Sequence, residues 1–246
     1  MHILLTNDDG IRAPGIAALF KQLTTFSRVT IVAPEGERSS ISQAITLDHP
    51  LYHSMVPFLG KTQGHSLSGT PADCVKFALA VLLKKDRPDI IVSGINRGSN
   101  DGCSVFYSGT VAAAREGALQ GLPSIAVSLD EWDNPNFAPS AIIGAKIVRT
   151  IINKKLPKGT FLNVNVPPGI PRGTRWTCQC RVPIHSEFRR RKDPGGREYY
   201  WLTGRPPAGP NEKTSDSYLL ARGFATVTPV HCDSTDYITL KSYDNA

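Results

Sequence analysis

"HILLTNDDGIRAPGIAALFKQLTTFSRVTIVAP" (residues 2–34) decides the fold. Residues 2–6 form a short apolar run, and the β-branched run 29–33 is a second one, stopped by Pro34. Between them, residues 14–26 place Ile16, Leu19, Phe20 and Leu23 on one helical face, with Pro14 suited to the first helical turn. Strand, helix and strand in close succession make a crossover unit, which sets the two strands parallel.

The same alternation runs outward from this unit. A polar loop and a hairpin region (44–68) precede "GTPADCVKFALAVLL" (69–83), where Thr70 reads as an N-cap, Pro71 as the first helical residue and Asp73 as the reciprocal capping acid. Strand patterns at 89–93, 124–128 and 160–166 then alternate with helices at about 110–120 and 140–153. The expected fold is α/β: a Rossmann-like, doubly wound, mostly parallel sheet in three α/β/α layers. Beyond residue 169 prolines and glycines multiply and helical periodicity fades, leaving "REYYWL", a short helix at 215–223 and a strand at 225–230. Residues 1–169 are therefore expected to form the catalytic core. Residues 170–246 are expected to form a β-rich oligomerisation arm with a closing helix and strand, part of the same domain.

Composition bounds the function. Of the 246 residues, 40% are hydrophobic and 20% charged, as in ordinary globular proteins. No apolar run approaches the ~20 residues of a membrane span, and no signal peptide is read. Five scattered cysteines suit reduced thiols in the cytoplasm better than a disulfide framework. Cys178 and Cys180 lack the spacing of a zinc knuckle. The net charge of +7 favours anionic partners. The basic run within 187–202 reads as a charged hairpin around Pro194, Gly195 and Gly196, or as an anion-guiding or subunit-contacting arm. No RNA-binding signature accompanies it, so dedicated nucleic-acid binding is not expected.

Parallel sheets bind ligands at the carboxyl ends of their strands. Four polar clusters fall there: "NDDG" with Asp8 and Asp9, "PEGERSS" with Arg38, Ser39 and Ser40, "GINRGSN" with Asn96 and Asn100, and "YSGT" opening the next helix. A turn or N-cap ahead of Pro14 would need one acid, and a second adjacent carboxylate adds repulsion. A hard divalent cation, Mg²⁺ or Mn²⁺, removes that conflict, with the Ser39 hydroxyl and the Asn96 amide oxygen completing an all-oxygen set. Ser108 and Thr110 read either as ordinary helix caps or, with backbone N–H groups, as an anion site. Dinucleotide and Walker-type glycine loops are absent from the sequence. Aspartyl-phosphate phosphatases space their two acids one residue apart, and a receiver domain would need an Asp ending its third strand and a late Lys near the site, where this chain offers "VSGIN" and "NVNVPP".

The stretches "ILLTNDDGIRAPGI", "VAPEGERS", "GTPADCVKFAL", "PDIIVSGINRGSN" and "YSGTVAAAREG" resemble the SurE survival-protein family of metal-dependent 5'/3'-nucleotidases, in order and spacing over most of residues 1–130. "LNVNVP", "REYYWL" and "GFATVTPV" continue the likeness more weakly. The resemblance implies one divalent metal ion per subunit held by Asp8, Asp9, Ser39 and Asn96, and a phosphate-contacting turn at Ser108, Gly109 and Thr110. It implies hydrolysis of nucleoside monophosphates, with exopolyphosphatase activity in some members, and dimers or tetramers built partly by exchange of the C-terminal arm. The chain departs from the family pattern at Ser40, where glycine is common, at Cys103-Ser104, where an acid is frequent, and at "TSD" (214–216) in place of "GTD".

The expected chemistry is phosphomonoester hydrolysis by a cation-activated water, with Asp8 or Asp9 handling the proton and Asn96 also near the substrate. A metal-dependent nucleotide- or anion-binding regulator without turnover is the alternative. A nucleic-acid binder using 187–197 is a third reading.

Overall fold

The computed structural model describes residues 1–154, 156–183, 185–205 and 212–244. In chain order its elements are β1 (His2–Thr6), α1 (Pro14–Leu23), β2 (Arg28–Pro34), β3 (His53–Leu59), β4 (Thr62–Leu67), α2 (Pro71–Phe77), β5 (Ile90–Arg97), α3 (Gly109–Leu119), β6 (Ser124–Leu129), α4 (Ala138–Lys154), β7 (Thr160–Val166), β8 (Thr174–Trp176), β9 (His185–Lys192), β10 (Glu198–Arg205), α5 (Asp216–Leu220), β11 (Ala225–His231) and α6 (Tyr237–Asp244).

Nine strands form one sheet in the order β3-β4-β2-β1-β5-β6-β7-β11-β8. From β4 to β7 every neighbouring pair is parallel. β3 and β11 pair antiparallel at the two flanks. The chain leaves β1 in one direction towards β2 and later returns on its other side as β5, so the winding reverses between β1 and β5. Such a switch point opens a crevice at the strand ends.

β1 is buried on both faces, as the continuous run "ILL" requires of a central parallel strand. Ile3 and Leu5 join the core under α1 and α4, while Leu4 faces the core under α2 and α3. Gly15 lets α1 press onto β5, because a Cβ there would overlap the Ile95 carbonyl oxygen.

α1 stops at Leu23, short of the expected 26, because Thr24, Thr25 and Ser27 turn their hydroxyls onto carbonyls of the last turn. The capping box of α2 forms as expected between Thr70 and Asp73. Its helix passes at Ala78–Leu82 into a π-helical turn. The closing helix at 215–223 shortens to α5, while β8 and α6 are elements the sequence patterns did not mark. β9 and β10 form their own two-stranded antiparallel sheet. Among the described residues no helix is long and apolar enough to cross a membrane.

The Gly15→Ala variant should unfold at lower urea concentration, losing about 1–3 kcal/mol, the range of an overpacked core position. A loss below about 0.5 kcal/mol by urea titration would contradict the close packing of α1 on β5.

Candidate functional site

The site begins where β1 runs out. Asn7 folds its amide onto the Gly10 carbonyl at 2.9 Å, closing a turn that carries Asp8 and Asp9 over the sheet edge. Neither aspartate caps α1, whose N-cap is Ala13 without a side-chain bond. The simple capping account of the acid pair therefore fails.

Asp8 is almost fully buried, and the Thr110 hydroxyl donates to its Oδ1. Burial pushes its carboxyl up to about 7, with the Asp9 charge adding, while the Thr110 hydroxyl and backbone N–H pull it back. The approach of α3 is possible because residue 109 is glycine: a Cβ there would sit 2.9 Å from the Asp8 Cβ. Asp9 is half-buried and accepts the Arg97 N–H at 3.3 Å. Burial raises its carboxyl too, and that hydrogen bond opposes the rise.

Asn96 comes from the end of β5. Its amide nitrogen donates to the carbonyls of Gly98 (2.8 Å) and Arg97 (3.3 Å), which leaves Oδ1 outside these bonds. The Ser39 loop meets the site through its backbone, where the Arg38 N–H donates to the Asp8 carbonyl at 2.7 Å. Ser39 is exposed and donates to Glu37 Oε1 at 2.6 Å. Ser108 caps α3 by accepting the Val111 N–H at 3.1 Å, so the capping account holds for that residue. Asn100 belongs to a different task. Its backbone N–H donates to Asn165 and its amide to Ser128, and Asn163 donates to its carbonyl, pinning the loop after β5 to β6 and β7.

A cleft of about 390 Å³ opens beside Asp9, walled by loops after β1 (Gly10, Arg12), β2 (Glu35, Glu37), β5 (Arg97) and β6 (Phe137).

The family model for Survival protein SurE matches residues 3–186. The chain is 44% identical to the 5'-nucleotidase SurE of Syntrophobacter fumaroxidans over 241 residues, 96% of each chain. It is 42% identical to that of Geobacter sulfurreducens, over 98% of this chain and 91% of the relative. The crystal structure of the SurE protein from Aquifex aeolicus superposes with a TM-score of 0.87 at 35% identity, covering both chains completely. The chain belongs to the SurE family.

The positions that depart from the SurE pattern sit in defined local settings. Ser40, where glycine is common in the family, lies in the left-handed region at φ 56°. Cys103 lies in a 3₁₀ turn and donates to the Val182 carbonyl at 3.5 Å. "TSD" keeps its acid: Asp216 is fully buried and accepts the N–H groups of Gly102 (3.0 Å) and Cys180 (2.8 Å). The segment after residue 169 thereby braces the turn leading into α3. Burial raises the Asp216 carboxyl, and these N–H bonds oppose the rise.

Thr110 as the partner of Asp8, and Asp216 as a brace, had no sequence signal because their partners lie 102 and 114 residues away.

In metal-free protein the raised Asp8 value has a thermodynamic consequence. The folded state holds its proton up to about pH 7 whereas an ordinary aspartate releases it near 3.8, so stability falls as pH rises through that window. The full penalty is on the order of 4 kcal/mol above pH 7. Asp8→Asn should therefore melt higher than the parent in EDTA at pH 8 and nearly level with it at pH 4. Calorimetry showing the variant less stable at pH 8 would refute this electrostatic account.

Proposed function

We propose that this chain is a 5'-nucleotidase, a phosphomonoesterase that hydrolyses nucleoside 5'-monophosphates with one divalent cation, Mg²⁺ or Mn²⁺, bound per subunit. The observation that carries it is the convergence of Asp8, Asp9 and Asn96 with the N-terminus of α3 at the β1/β5 switch point.

The donor set fits such a cation. It consists of two carboxylates with neutral oxygens, the ligand chemistry of a hard divalent ion. Among the described residues none with a basic side chain contributes to the charge balance of buried Asp8, and the Oδ1 of adjacent Asn7 is buried without a hydrogen-bond partner. Asp8, Asp9, Asn96 and Ser39 would hold the ion. When bound, it supplies charge neutralisation to the phosphate and acidity to water.

The chain's own groups would do the rest. Ser108, Gly109 and Thr110 present the N-terminus of α3, whose dipole favours the phosphate, and Asn96 lies at the same rim. Asp8 is held at Oδ1 by Thr110, whereas Asp9 lines the open cleft, so Asp9 is the carboxylate assigned as base. Water oxygen bonds to phosphorus, the bond from phosphorus to the ribose 5' oxygen breaks, and the water proton passes to Asp9. The departing 5' oxygen takes a proton from solvent.

The arm suits self-association into a homodimer or homotetramer within one domain that joins residues 1–169 to 170–246. Phe188, Tyr200 and Leu202 share one face of the β9–β10 hairpin and are all exposed, as are Ile238 and Tyr243 on α6. Five free cysteines suit a cytoplasmic protein.

Phosphate release should be measured on 5'- and 3'-mononucleotides and short polyphosphate, with Mg²⁺ or Mn²⁺ and with EDTA. Turnover of 5'-nucleotides that EDTA abolishes is expected, as is a loss of about 10²-fold or more for Asp9→Asn. Nucleotide binding without phosphate release would establish the regulatory alternative instead.

A further inference from the structure

We propose that Trp132 is a specificity-determining residue whose indole stacks on the base of the nucleotide, so that the enzyme prefers nucleoside monophosphates, purine ones above all, to base-free phosphate esters. This rests on the phosphomonoesterase reading above. Trp132 stands in the loop between β6 and α4, three residues before Pro135 and against Arg97, both of which line the cleft.

A lone exposed tryptophan would argue nothing by itself. Here the ring is built into the backbone of the site. It packs on Gly98, where a Cβ would overlap the six-membered ring and where φ is 97°. That glycine's carbonyl accepts the Asn96 amide, and its N–H donates to Leu129 at 2.8 Å. The Arg97 guanidinium lies 5.9 Å from the ring centroid, while the Arg97 N–H holds Asp9. Glu131 accepts the N–H groups of Trp132 (2.9 Å) and Asp133 (3.1 Å), fixing the loop that presents the ring.

The indole is thus tied on one side to the residues that carry Asn96 and Asp9, yet it remains 62% exposed. An anchored, exposed aromatic next to the residue that holds Asp9 matches what a nucleobase requires. Arg97 links the two, its N–H holding Asp9 and its guanidinium lying over the ring. The cleft offers Glu35 and Glu37 as acceptors for ribose hydroxyls and Arg12 as a donor. Its volume of about 390 Å³ falls in the range of small-ligand sites.

Base stacking far from phosphorus contributes equally to ground and transition states, so its loss should appear in KM. The test compares the parent, Trp132→Ala and Trp132→Phe on 5'-AMP, 5'-CMP and ribose 5-phosphate under saturating metal. Trp132→Ala should lower kcat/KM for 5'-AMP roughly 5- to 150-fold, chiefly through KM. The loss should be smaller for 5'-CMP and absent for ribose 5-phosphate, and Trp132→Phe should restore most of it. An equal loss on ribose 5-phosphate would overturn the proposal in favour of a purely structural prop. Unchanged 5'-AMP kinetics would overturn it outright. Parent activity on ribose 5-phosphate keeps the phosphomonoesterase reading separate, whereas no phosphate release from any of the three would overturn both.

Discussion

A carboxylate buried at the end of the central strand governs the architecture of the site. Asp8 lies where water cannot solvate its charge, and the N-terminus of α3 offers a partial answer through the Thr110 hydroxyl and backbone N–H. A hydroxyl and half a helix dipole do not match a full charge, and Asp9 next to it makes the deficit worse. A cation would resolve the imbalance. Gly109 at the start of α3 makes the close approach sterically possible.

The parallel sheet makes this arrangement possible. Because β1 and β5 are neighbours at the reversal of winding, the loops carrying Asp8, Asp9 and Asn96 leave the sheet side by side. The loops are then fixed from behind. Asn163 and Asn165 on β7 and Ser128 on β6 hold the loop at Asn100, and Asp216 holds the turn before α3. Asp73 takes the backbone N–H and hydroxyl of Thr46, and buried Glu116 meets Lys76 and Gln43, tying down the long loop after β2. Side chains that touch no substrate thus supply the rigidity a preorganised site needs.

Much of this was legible in the sequence. Continuous apolar runs mark strands covered on both faces, and a capping box such as Thr70–Asp73 is a local signal that survives folding unchanged. The polar clusters could be assigned to one rim because parallel strands present their carboxyl ends at a single edge of the sheet. What escaped was short or long-range. β8 is three residues long, too short to show alternation, and exposed α6 has no core-facing stripe. Thr110 looked like a cap or a phosphate donor because nothing local reveals that it faces Asp8. "LNVNV" reads as a strand, but that its asparagines anchor a loop sixty-odd residues earlier is visible only in three dimensions. Trp132 sits in the polar loop "DEWDNPN", where a single aromatic carries no period.

The central claim is that the paired carboxylates are kept for a cation. Electron paramagnetic resonance of Mn²⁺ titrated into the purified protein tests it without reference to turnover. The account predicts one tight Mn²⁺ per chain, lost in Asp8→Asn and weakened at least tenfold in Asn96→Ala. Equal Mn²⁺ binding by the parent and Asp8→Asn would contradict it.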